Sequence, residues 1–230
     1  MRQVFTAGEC MIGALFSGGK DSTLAIHMAS NSGMRPELLI TMRSRNEDSY
    51  MFHRPNVEFC SLQASALGMR SIEIDTEGNK EAELDDLARG LRDSGVSVLI
   101  TGAVASRYQK DRVDRICIEL GIRHVSPLWG IDPLAELNIL ARDFEVIITR
   151  VAAEGFDESM LGKRIDSSMI GRLVSLNKRY GINMVFEGGE AETFVLNAPM
   201  FSKRVIIDRH RIERDGSRAS FIIEDAHLSE

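Results

Sequence analysis

The 230-residue chain has a net charge of -6 at pH 7 and 43% hydrophobic residues, a composition typical of a soluble globular protein that can bury one large core. It contains no apolar run of the about 20 residues that a membrane span requires and no signal-peptide layout, so we expect a cytoplasmic protein. The negative charge disfavours a broad nucleic-acid footprint. The three cysteines are far apart with no C-x-x-C pattern, which disfavours a cysteine zinc site or redox pair.

The first half of the chain alternates short apolar runs with helical patterns. The predicted strands are residues 11–16, 37–42, 71–75 and 96–102, and the predicted helices are residues 22–33, 55–68, 80–95 and 105–121. Strands that alternate with helices of ten or more residues are typical of a parallel sheet covered on both faces. We therefore predict a doubly wound α/β domain over residues 1–130.

The pattern changes after Trp129. Helical patterns at residues 132–144 and 167–181 enclose a predicted strand at residues 145–153. Two β-rich runs follow, at residues 184–199 and 204–225, and the second contains Asp215-Gly216, a strong hairpin signal. This order predicts a smaller C-terminal α+β domain over residues 131–230, which we expect to bind the substrate.

The hexapeptide SGGKDS, residues 17–22, joins the first strand to the first helix. Its glycines can turn backbone N–H groups inward, Lys20 supplies a positive charge, and the following helix contributes its N-terminal dipole. The loop also follows a strand, which places it at the sheet edge where open α/β folds bind ligands. Nucleotide phosphates are therefore expected at Ser17, Gly18, Gly19, Lys20, Asp21 and Ser22.

The loop differs from the two most familiar phosphate-binding motifs. Ala14 and Asp21 stand where a Walker A loop has Gly and Ser or Thr, and the spacing is not G-x-G-x-x-G. An aspartate beside phosphates repels them unless a divalent cation intervenes, so we predict that Asp21 is a ligand of Mg²⁺. The alternative is a carboxylate that only stabilises the helix N-terminus.

These motifs resemble a known family. SGGKDS resembles the PP-loop of the N-type ATP pyrophosphatases, which have a Rossmann-like fold and cleave ATP between the α and β phosphates. Three more segments resemble the diphthine–ammonia ligase branch: HRPNVEFCSLQASALG, TGAVASRYQKDRVDRICIELG and EGGEAETFVLNAPMF, which begin at residues 53, 101 and 187. The E-x-E-T form of residues 190–193 resembles the archaeal members.

The resemblance implies an enzyme that amidates diphthine, a modified histidine of translation elongation factor 2, with ATP and ammonium as co-substrates. The carboxylate would be adenylated with release of pyrophosphate, and ammonia would then displace AMP. The expected catalytic residues are Lys20, Asp21 and Glu190. The implied partners are elongation factor 2 and ammonium, without membrane or nucleic acid, and a homo-oligomer is left open.

Further site residues follow from the resemblance and from position in the predicted sheet. Thr41, Met42 and Gly102 lie at strand ends and are expected to contact the nucleotide, although Thr41 and Met42 could equally belong to the core. The acidic, glycine-bearing turn of residues 187–193 is expected to bind ammonium or the quaternary ammonium group of diphthine, or to deprotonate ammonium. A solvated turn is the alternative. The expected substrate-binding residues are His53, Tyr108, Gln109, Arg112, Glu187, Gly188, Gly189, Glu190, Glu192 and Thr193.

Two other functions stay open at this point. A PP-loop enzyme that adenylates a tRNA base would be favoured by C-x-x-C pairs or basic patches, and neither is clear in the chain. A non-catalytic ATP-binding module would share the α/β layout but would not need Lys20, Asp21 or the glutamate-rich turn.

Overall fold

The computed structural model describes residues 10–44, 56–77 and 80–230, and within them the chain forms nine strands and six α-helices. The strands are β1 (Ile12–Leu15), β2 (Leu38–Ser44), β3 (Arg70–Thr76), β4 (Val98–Ile100), β5 (Arg123–Val125), β6 (Glu145–Val151), β7 (Ala191–Asn197), β8 (Val205–Asp215) and β9 (Arg218–Leu228). The helices are α1 (Lys20–Asn31), α2 (Cys60–Leu67), α3 (Lys80–Ser94), α4 (Arg107–Leu120), α5 (Pro133–Asp143) and α6 (Ser167–Tyr180).

The first sheet has the order β3-β2-β1-β4-β5, and all of its strand pairs are parallel. Successive residues of β2 point to opposite faces. Leu39 belongs to a core cluster that contains Leu24 of α1, whereas Ile40 belongs to a separate cluster with Leu87 of α3. The sheet is therefore covered on both faces, which confirms the predicted doubly wound α/β fold.

The second sheet is antiparallel and has the order β7-β6-β9-β8. The predicted hairpin is present, with Gly216 in the left-handed region at φ 57° between β8 and β9. The β-rich run predicted from residue 184 differs in one respect, because β7 begins only at Ala191. Residues 184–190 form turns instead, and Phe186 has a φ of 68°, which no regular strand allows.

One hydrophobic core joins the two sheets. The cluster that includes Phe16 of β1 and Leu24 of α1 also includes Ile148 of β6 and Phe194 of β7. The second sheet therefore packs on the side of the first sheet that carries α1. The predicted division at residue 131 falls between β5 and α5 and stays a prediction. Within the described residues, no helix is both long and apolar enough to cross a bilayer.

Candidate active site

The phosphate loop has the backbone that its glycines predict. Gly18 has a φ of 73°, which favours glycine, and a Cβ there would lie 2.3 Å from Oε1 of Gln63. Gly19 is the N-cap of α1 in an extended conformation, so Lys20 is the first helical residue. The Ser22 hydroxyl donates to the Gly19 carbonyl at 3.2 Å and accepts from the Ser17 amide at 3.3 Å. The loop is thus braced by its own side chains.

The loop is also bonded directly to the second sheet. The Lys20 amide donates to Oγ1 of Thr193 at 3.1 Å, and the Val195 amide donates to the Gly18 carbonyl at 3.0 Å. Gln63 strengthens the junction, because its Nε2 donates to the carbonyls of Gly18 and Val195 at 3.0 and 2.7 Å. The segment EGGEAET (residues 187–193), which we call the second motif, therefore holds the phosphate loop through β7.

A cleft of about 470 Å³ opens at this junction. Its walls come from the ends of β1, β2 and β4, the start of α4, the turns before β7, and strands of the second sheet. The predicted site residues that line it are Ser17, Gly19, Lys20, Asp21, Ser22, Met42, Gly102, Gln109, Glu187, Gly188, Gly189, Glu192 and Thr193. The structure thus brings both predicted motifs to one cavity of a size suited to a small-molecule substrate.

Lys20 forms ion pairs with two carboxylates at the base of the cleft. Its side chain is 1% exposed, and its Nζ donates to Oδ1 of Asp21 and, at 2.9 Å, to Oε1 of Glu136. Burial lowers the pKa of the Lys20 ammonium, but the charges of Asp21 and then Glu136 outweigh burial and raise it overall. Lys20 is therefore held as a cation.

Glu136 lies on α5 and is completely buried. Burial raises the pKa of its carboxyl, and the charge of Lys20 opposes that rise. The sequence prediction missed this residue, although it lies four positions before the buried Leu140 and so on the same face of α5. An acidic residue on an apolar helix face was the available signal.

Two of the predicted glutamates face the cleft. Glu187 accepts hydrogen bonds at Oε2 from the amides of Ala105 and Ser106, at 3.3 and 3.0 Å. Burial, and then repulsion from the charge of Asp21, raises the pKa of Glu187, although these two amides oppose the rise. Glu192 lies opposite Arg150 across β6 and β7, and the Arg150 Nη1 lies 3.6 Å from its Oε1.

Glu190, which the sequence predicts as catalytic, lies outside the cleft lining. Its Oε1 accepts from the Asn183 amide at 2.7 Å, and its Oε2 accepts from the Gly188 amide at 2.9 Å. Both carboxylate oxygens thus stabilise the turns that lead into β7. The sequence could not separate Glu190 from its neighbours, because the turn geometry decides which carboxylate faces inward.

Replacement of Glu190 by glutamine is expected to destabilise the protein with little effect on ATP affinity. An amide group would place an N–H donor against one of the two backbone N–H groups, at a cost of about 1–3 kcal/mol. Urea unfolding and the KM for ATP measure the two quantities. Unchanged stability combined with lost turnover would instead support the predicted catalytic role.

Four other predicted residues lie beside the cleft or outside the description. Thr41 is buried and its hydroxyl donates to the Phe16 carbonyl at 3.0 Å, so it braces the strand before the loop. The Arg112 guanidinium stacks 3.5 Å above the Tyr108 ring, and neither residue lines the cleft. His53 lies outside the described residues.

Comparison with protein families identifies the chain. The profile described as the diphthamide synthase N-terminal domain matches residues 11–124, and that of the diphthamide synthase C-terminal domain matches residues 132–228. The chain belongs to the diphthamide synthase family. The family predicted from the SGGKDS and EGGEAET segments is confirmed.

Curated relatives support the same family. A diphthine–ammonia ligase from Bos taurus is 32% identical over 230 residues, which cover 87% of this chain and 84% of that protein. The enzyme of the same name from Homo sapiens is 31% identical with the same coverage. The diphthine–ammonia ligase of Schizosaccharomyces pombe is 29% identical, and the match covers 90% of this chain but 38% of that longer protein.

The cleft of this diphthamide synthase family member also contains cationic side chains that were not predicted from the sequence. Lys110 of α4, Arg150 of β6 and Arg218 of β9 all line the cavity. Arg150 and Arg218 were missed because an arginine on a strand is equally typical of a solvated sheet face. Only the packing of the second sheet against α1 brings these strands to the phosphate loop.

The donor set fits a magnesium ion that is shared with a nucleotide. The described residues hold no group of three His, Cys, Asp or Glu side chains suited to bind a metal by themselves. Asp21 lines the cleft, and its side chain is one-third exposed. Mg²⁺ is usually held by one or two carboxylates together with substrate phosphates and water, so a single aspartate beside the phosphate loop is sufficient.

Proposed function

We propose that the chain is a diphthine–ammonia ligase that activates the diphthine carboxylate of translation elongation factor 2 with ATP. The observation that supports this best is the 3.1 Å hydrogen bond from the Lys20 amide to Thr193, since it joins the phosphate loop to the glutamate-rich motif at one cleft. The names of the relatives supply diphthine and ammonia as the reactants.

The phosphate loop is proposed to bind ATP at its β and γ phosphates. The diphthine carboxylate attacks the α phosphorus, the bond between the α and β phosphates breaks, and pyrophosphate leaves. Lys20 stabilises the negative charge that develops on the departing pyrophosphate. Mg²⁺, held by Asp21 and the phosphates, would supply additional charge neutralisation at the same place.

The positive side chains of the second sheet are proposed to bind the carboxylate. Arg150 of β6 and Arg218 of β9 line the cleft from the second sheet. Arg guanidinium groups suit a carboxylate because they offer paired N–H donors. Glu192, the partner of Arg150, keeps that guanidinium oriented. This arrangement would hold the incoming carboxylate beside the α phosphate.

Glu187, rather than Glu190, is proposed to receive the proton of ammonium. Ammonium must lose a proton before its nitrogen can attack the acyl-adenylate, and the attack releases AMP and leaves the amide. A base works best when its pKa lies near the working pH, and burial raises the pKa of Glu187 in that direction. Glu187 also lines the cleft, where ammonia must arrive.

The test combines product analysis with an isotope label. The protein is incubated with diphthine-bearing elongation factor 2, ATP and ammonium, with heavy oxygen in the diphthine carboxylate. We expect an amidated factor by mass spectrometry, together with pyrophosphate and AMP that carries one heavy oxygen. Label-free AMP would exclude the acyl-adenylate, and ADP would exclude cleavage at the α phosphate. Adenylation of tRNA in a parallel reaction would favour the alternative function.

A further inference from the structure

A buried ion pair connects the phosphate loop to a helix of the second half of the chain. The Lys20 Nζ lies 2.9 Å from Oε1 of Glu136, and the two side chains are 1% and 0% exposed. Lys20 lines the cleft, whereas Glu136 is not among the lining residues. Glu136 therefore lies behind the lysine and has no direct access to a bound nucleotide.

The position of Glu136 is fixed by the start of α5. Asp132 is the N-cap, and its carboxylate accepts from the Ala135 amide at 2.9 Å, while Pro133 occupies the first turn. Leu137 and Leu140, on the same helix, are fully buried in the core that joins the two sheets. The carboxylate thus projects from a rigid element and can hold a flexible side chain in one place.

The three N–H donors of the Lys20 ammonium have different partners. An ammonium group has three N–H donors. One is directed to Asp21 and one to Glu136, so a third is left for a ligand in the cleft. Without Glu136, the four-carbon stem of Lys20 would regain rotamer freedom and the third donor would lose its direction.

We propose that Glu136 is a positioning residue that orients the Lys20 ammonium toward the nucleotide phosphates. The inference rests on the proposed role of Lys20 in binding the pyrophosphate part of ATP. A donor that is oriented before the reaction needs no reorganisation as charge develops on pyrophosphate, so Glu136 contributes to the rate. Its own negative charge does not favour phosphate binding, so it contributes nothing to ATP affinity.

Glu136→Gln is the discriminating variant because the amide keeps the size of the side chain and removes its charge. We expect kcat for AMP formation to fall about 10- to 100-fold, the range that is typical for partners that orient a functional group. The KM for ATP should stay the same or decrease. A purely structural defect would raise the KM for ATP or reduce the fraction of folded protein. If either change occurred while the folded protein kept its wild-type kcat, the inference would be overturned.

Glu83→Gln is the matched control. Glu83 is also completely buried and also lies on a helix, α3, but it is not among the residues of the cleft. The same substitution at this position should leave kcat and KM at the wild-type values. A loss of kcat equal to that of Glu136→Gln would show that loss of any buried carboxylate impairs the protein, and the inference would fail.

A double-mutant cycle tests whether Glu136 acts through Lys20. Glu136→Gln should cost nothing further in a Lys20→Met background, because the side chain that Glu136 orients is then absent. An equal loss in both backgrounds would overturn the inference.

A substrate-independent measurement separates this inference from the proposed function. If the wild-type protein forms no AMP from the proposed substrates, the proposed function fails, and the nuclear magnetic resonance signal of the Lys20 ammonium then decides the inference. That signal should be visible in the nucleotide-free wild type, where two carboxylates protect the ammonium from exchange with water. It should disappear in Glu136→Gln and persist in Glu83→Gln, and its persistence in Glu136→Gln would overturn the inference.

Discussion

Lys20→Met is expected to reduce kcat for AMP formation by about 10²- to 10³-fold, the usual effect of removing one donor that stabilises developing charge. The ammonium is the buried cation of the phosphate loop, and it is held at the base of the cleft by Asp21 and Glu136. Methionine keeps most of the volume of the lysine stem but offers no donor. Single-turnover formation of AMP measures the effect.

Stability must be separated from chemistry in this variant. Loss of one partner of a buried ion pair leaves the other charge uncompensated, at a cost of about 3–5 kcal/mol. The double variant Lys20→Met with Glu136→Gln removes both charges, so it should be more stable than Lys20→Met in urea unfolding and equally inactive. A Lys20→Met protein that turns over at nearly the wild-type rate would remove the lysine from the mechanism.

Gly102→Ala is expected to eliminate ATP binding and to destabilise the fold, because a Cβ at this position has no space. It would lie 2.6 Å from the carbonyl carbon of Asp21 and 2.7 Å from the amide nitrogen of Ser22. Both are backbone atoms of the first turn of α1, so relief requires displacement of the phosphate loop from the end of β4. Overpacking of this kind costs about 1–3 kcal/mol. Calorimetric titration with ATP measures the loss of affinity.

Gly171→Ala is the control for the glycine substitution. Gly171 lies within α6 and is exposed, and a Cβ there would meet no atom within 4 Å. Alanine in a helix is favoured over glycine by about 0.5–1 kcal/mol, so this variant should be slightly more stable and bind ATP normally. Normal ATP affinity in Gly102→Ala would show that the loop tolerates displacement.

The phosphate loop could be predicted from the sequence because its determinants are local. Two glycines, a lysine and two serines lie within six residues between a strand and a helix, and glycine at position 18 allows the left-handed backbone found there. The parallel sheet was predicted for the same reason, since each strand and helix has its own hydrophobic pattern.

The rest of the site depends on contacts between distant parts of the chain. Glu136 meets Lys20 across 116 positions of sequence, and no local pattern indicates which lysine a first-turn glutamate will meet. Phe186 has a left-handed backbone conformation, and the turns around it direct the Glu190 carboxylate toward the Asn183 amide. The same turns leave the Glu187 carboxylate in the cleft. Composition shows three acidic residues there, and only the turn geometry distinguishes them.

The bonds from the phosphate loop to β7 have a consequence for the order in which the protein matures. Gly18 and Lys20 leave the ribosome more than 170 residues before their partners Val195 and Thr193 are synthesised. Until those partners emerge, the nascent chain carries the complete SGGKDS sequence without the wall against which it is braced. A fragment that ends before β7 should therefore fail to bind ATP, and detection of the motif in a truncated gene does not imply a working nucleotide site.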